Sequence, residues 1–140
     1  MTREMRLRMA YLLDTNTCIY FLNKSSENII TRMKSLSPED IKLSSITVAE
    51  LFFGAEKSKA KKKNRAVVEA FTNNFEQIPF DSKCCKTYAE IRSSLQKKGT
   101  PIGPMDLLIA SITLTHNMIL VTNNVNEFTR VKGLITENWI

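Results

Sequence analysis

The chain has 140 residues, 43% hydrophobic and 24% charged, enough to build one domain around a sizeable core and too few for a second. Its net charge of +6 favours a polyanionic partner, because Lys and Arg gain by displacing counterions from phosphates. Three cysteines and the single His116 offer neither a disulfide framework nor a zinc-ligand spacing, so a reducing cytoplasm and no structural zinc are expected.

In chain order, the first apolar run covers residues 9–13 and stops at Asp14. It is too short for a signal peptide or a membrane span and suits a buried central strand. Residues 1–8 read as a flexible extension of a single domain spanning 9–140, with Met9 as an alternative start. Ile19, Phe21 and Leu22 predict a helix over 15–23. Ser25 or Ser26 caps a second, whose stripe of Ile29, Ile30, Met33 and Leu36 ends before Pro38. Residues 41–44 form a short strand, and TVAELFFGAEK follows as a helix with Thr47 and Glu50 in capping-box spacing. The densest basic stretch, KSKAKKKNR at 57–65, reads as a solvated face. Val67, Val68, Phe71 and Phe75 carry a helix over 60–76, and a strand follows at 77–80. A helix over 82–98 is stopped by Gly99, and Pro104 opens another with Leu107, Leu108, Ile109, Ile112 and Leu114 on a buried face. Strands at 118–121 and near Leu134 and Ile135 complete an α/β pattern, which implies a parallel sheet covered on both faces.

Three carboxylates, Asp14, Glu50 and Asp106, stand at or near predicted helix starts. Asp14 directly follows a buried strand, at the end of the sheet where ligands bind. A helix cap explains Asp14, a capping box explains Glu50, and the macrodipole favours Asp106 in a first helical turn. Taken singly, each has a structural explanation, and all three explanations would have to coincide.

The surrounding strings sharpen that choice. LLDTN at 12–16, SSITVAELFFGAEKS at 44–58, GTPIGPMDLLIAS at 99–111, and ILVTNNVNEF at 119–128 with GLITENW at 133–139 resemble, in order and spacing, the motifs of VapC-type PIN domains. The resemblance extends from Met9 onward. It implies a three-layer α/β/α fold with a central parallel sheet of four to five short strands. It also implies a type II toxin that is a metal-dependent endoribonuclease, with tRNA as the common substrate of the family. Asp14 and Asp106 are then the principal Mg²⁺ or Mn²⁺ ligands, with Glu50 completing the cluster directly or through water. Asn124 stands where many PIN domains carry a fourth acid, which leaves Glu127 as the candidate to supply that carboxylate or to pair with a basic side chain. Thr122 and Asn123 are expected to orient the cluster. The family further implies a homodimer and a VapB-type antitoxin that covers the site and, with the toxin, binds operator DNA.

The residue types agree with this chemistry, since hard cations prefer carboxylate and carbonyl oxygens. Lys57, Arg92 and Arg130 are candidates for RNA phosphate contacts, while Tyr20, Phe52 and Phe53 could stack on bases or pack in the core. Two other readings remain open. LLDTNT is similar to the nucleophile motif of haloacid dehalogenase-type enzymes, but Asn16 stands where the usual second Asp would be. A non-catalytic binding module would retain the acids as caps alone.

Overall fold

The computed structural model describes residues 2–140; Met1, part of the expected extension, lies outside them. Strands β1 (Tyr11–Leu13), β2 (Ile41–Ser44), β3 (Glu76–Ile78), β4 (Ile119–Val121) and β5 (Ile135–Glu137) pair in parallel in the spatial order β3-β2-β1-β4-β5. The central strands β1 and β4 are continuously apolar, as burial on both faces requires, while the edge strands β3 and β5 carry polar, more exposed residues. Side chains alternate across the sheet. Leu12 and Leu120 enter one core, and Leu13, Leu43 and Val121 enter the other.

Helices α2 (Thr15–Leu22), α3 (Glu27–Ser35), α4 (Ser45–Lys57) and α5 (Lys61–Thr72) pack through Cys18, Ile29, Met33, Leu51, Val68 and Phe71 on the Leu13 face. Helices α6 (Ser82–Lys97) and α7 (Pro104–Thr115) cover the opposite face through Ile91, Leu95, Leu107 and Ile112. The result is the expected three-layer α/β/α arrangement. The chain steps outward from β1 to β2 and β3, then returns by α6 and α7 to place β4 on the other side of β1. The direction of winding therefore reverses between β1 and β4, where ligand crevices form in open α/β sheets.

Local differences from the predicted elements have physical causes. The strand predicted at 77–80 is β3, at Glu76–Ile78. Pro79 has no N–H for the ladder, and Phe80 packs edge-on against Tyr88 with ring centroids 6.0 Å apart. The helix predicted over 60–76 ends at Thr72, where the Asn74 amide donates to the Ala70 carbonyl at 2.8 Å. Thr47 does not cap α4. Ser44, the last residue of β2, does so, its Oγ accepting from the Thr47 N–H at 3.0 Å. Two short helices went unpredicted: α1 (Arg3–Leu7), from which Arg6 pairs with Glu137 at 2.8 Å, and α8 (Val125–Phe128). Among the described residues no helix is long and apolar enough to cross a membrane.

Candidate metal centre

The parallel register aligns the C-terminal ends of β1 and β4, with Leu13 opposite Val121. One residue further, the Asp14 N–H bonds the Val121 carbonyl at 3.0 Å. Asp14 is both the cap of α2, accepting from the Thr17 N–H at 2.8 Å, and a carboxylate only 5% exposed. Burial raises its pKa above the usual carboxylate value, against the opposing effect of hydrogen bonds from Thr122 and Thr17. The capping explanation of Asp14 is thus correct but incomplete, because a cap needs neither such burial nor a second acid facing it.

That second acid is Asp106, in the first turn of α7. Its pKa is pushed up to about 6, first by burial and then by the charges of Glu127, Asp14 and Glu50. Carboxylates from four separate segments therefore share one field. With the capping role taken by Ser44, Glu50 is free of the helix end, and its Oε1 accepts from the Thr15 hydroxyl at 2.5 Å. Thr15, also 3.2 Å from the Thr47 hydroxyl, is the orienting residue that sequence reasoning missed. Its signal was available, as a hydroxyl in the first turn of the helix that Asp14 opens.

Glu127 is set from α8. Burial alone would raise its pKa, but the Gly103 N–H at 2.7 Å, the Asn124 amide at 2.6 Å, a hydrogen bond with Asp106 and the nearby Arg130 charge hold it below the usual range. The surroundings therefore favour the ionised form of Glu127 and oppose that of Asp106. Asn124 turns its NH₂ group to Glu127 and supports that carboxylate. Its backbone N–H bonds the buried Thr122 hydroxyl at 2.9 Å, so Thr122 links the loop to Asp14. Asn123 instead accepts from the Asn138 amide at 3.2 Å, tying the loop to the C-terminal segment.

The basic candidates separate. Arg130 lies beside the cluster, its Nη1 donating to the Pro101 carbonyl at 2.9 Å and its charge felt by Glu127. Arg92 bonds the Tyr88 hydroxyl at 2.9 Å and lines a cavity of about 200 Å³ with Pro101, Ile102 and Pro104. Lys57 sits 4.9 Å from the ring of the exposed Phe53. Among the described residues, no ion pair includes Asp14, Glu50 or Asp106. Like charges gathered without a cation, all of them oxygen donors, fit a hard divalent ion.

The PIN domain family model matches residues 11–134. Ribonuclease VapC2 of Rickettsia felis is 44% identical, over 94% of this chain and 98% of that protein. The tRNA(fMet)-specific endonuclease VapC of Salmonella typhimurium is 40% identical, with the same coverage of each chain. A crystal structure of VapBC2 from Rickettsia felis, bound to a DNA fragment from its promoter, contains a chain that superposes with a TM-score of 0.88 at 42% identity, covering 94% of this chain and all of that one. The motifs, the sheet order and this full-length similarity agree: the chain belongs to the PIN-domain family and, within it, to the VapC ribonucleases.

Proposed function

We propose that the chain is the toxin of a type II toxin–antitoxin pair and hydrolyses RNA phosphodiester bonds with Mg²⁺, or Mn²⁺ as a substitute, held by Asp14 and Asp106. The carrying observation is the convergence of Asp14, Glu50, Asp106 and Glu127 at the winding reversal of the sheet, with Asp106 pushed up to about 6 by its neighbours. A divalent ion bound there would activate water and stabilise charge on the phosphate. The protein's part is positional. Thr17 and Thr122 fix Asp14, Thr15 orients Glu50 as a ligand directly or through water, and Asn124 with Gly103 holds Glu127 as the fourth carboxylate. Arg130, at the edge of the cluster, is the best placed of the three basic candidates to meet the RNA backbone.

The proposed substrate class is tRNA, supported by the tRNA(fMet)-specific relative of Salmonella typhimurium. The proposed partner is a VapB-type antitoxin, with promoter DNA bound through the complex, as in the Rickettsia felis assembly. Incubation of purified chain with tRNA should give discrete new 5′ ends that require Mg²⁺ or Mn²⁺, and these should be lost on chelation and in Asp14→Ala. Equal cleavage by wild type and Asp14→Ala would overturn the proposal.

A further inference from the structure

A second group of metal-ligating side chains lies at the other end of the α6–α7 pair. Asp81 caps α6, its Oδ1 accepting from the Lys83 and Cys84 N–H groups at 3.1 and 3.2 Å. Cys84 occupies the first turn of α6 and is fully buried. His116 is the exposed C-cap of α7. One donor atom from each residue lies within 4.8 Å of the other two. The two helices are anchored to each other nearby by the Thr87 and Thr115 hydroxyls, 2.8 Å apart.

From this convergence we propose that Asp81, Cys84 and His116 form a zinc site that fastens the N-terminus of α6 to the C-terminus of α7. The donor set selects the metal. Thiolate, imidazole and carboxylate together suit Zn²⁺, whereas Mg²⁺ avoids sulfur and seeks oxygen. Bonds of about 2.0–2.3 Å place tetrahedral ligand atoms roughly 3.5 Å apart. A separation of up to 4.8 Å therefore requires closure of about 1 Å, to which the exposed His116 and the Asp81 carboxylate would both have to contribute by side-chain rotation. The fourth position falls to water on the exposed His116 side. Zinc binds Cys84 as the thiolate, so one thiol proton leaves to solvent on binding. The sequence argued against zinc because these ligands have no motif spacing; the antiparallel packing of α6 and α7 brings them together.

Cobalt(II) is the probe, used with the full chain carrying Asp106→Asn and Cys85→Ser so that neither the carboxylate cluster nor the exposed thiol contributes. A thiolate-to-cobalt charge-transfer band should saturate at one equivalent and be bleached by Zn²⁺. His116→Ala and Cys84→Ser should each abolish it, and Asp81→Asn, which can still cap α6, should weaken binding by roughly tenfold or more. Zn²⁺ should raise Tm in the parent and not in His116→Ala. Absence of the band, or its survival unchanged in His116→Ala, overturns the site. Because His116 is exposed, that variant decides the question even if Cys84→Ser does not fold.

Discussion

The two ends of α7 make opposite demands. Its first turn brings Asp106 into a field of like charges, and its C-cap offers His116 beside one carboxylate and one thiol. The ends lie roughly 15 Å apart at 1.5 Å rise per residue, close enough to share a helix and too far to share an ion. The carboxylate end is electrostatically frustrated without a cation and built from hard oxygen donors. The other end is satisfied by capping and made of mixed, softer donors. A single buried helix can thus serve chemistry at one terminus and fastening at the other, because its apolar middle holds both in place.

The sharpest way to break this comparison is to neutralise the charged end. Asp106→Asn should lower tRNA cleavage by about 10²–10³-fold, the usual worth of one group stabilising transition-state charge, without lowering Tm, since a repulsion is removed. A fall in Tm matching the loss of activity would mean that Asp106 is a structural residue. Next in size is Leu120→Ala, in the core shared beneath both ends. It should cost about 2–5 kcal/mol in urea unfolding, and a much smaller loss would mean that the ends are not braced by this layer.

At the other terminus, Asp81→Ala removes the α6 cap and should lower Tm slightly with kcat on tRNA unchanged. A change in kcat would couple the two ends. pH separates them further. Folded Asp106 holds its proton up to about 6, against an ordinary value of 3.8, so its contribution to stability is fully present below the ordinary value and is lost as pH rises through about 6. Metal-free protein should therefore gain Tm on acidification across that window, and Mg²⁺, which binds the ionised form, should raise Tm most above it. Glu127→Gln should move the window to lower pH. The smallest effect belongs to Arg130→Ala, expected to reduce the salt slope of RNA binding by about 1.

How much was readable in the sequence differs between the two ends. Asp14 and Asp106 stand in strings whose order and spacing match a family, and each follows a signal that survives in one dimension, a strand end and a helix start. Glu50 was expected in the cluster from the resemblance, and the capping box that its spacing to Thr47 suggested does not form. The true cap, Ser44, sits at the junction where β2 passes into α4 without a loop. Glu127 was ambiguous because its value depends on Gly103 and Asn124, which reach it from two different segments.

The sequence by itself determined the layers: short continuous apolar runs made the central strands, buried on both faces, and helical stripes covered them. Glycine, proline and serine punctuation marked the start of α3, the end of α6 and the start of α7. Only the tertiary structure decided which charges face one another, that Thr15 orients Glu50, and that Asp81, Cys84 and His116 meet. Local patterning records how each segment buries its own apolar face. The field at a carboxylate depends on neighbours distant in the chain, and those are chosen by strand order and helix packing.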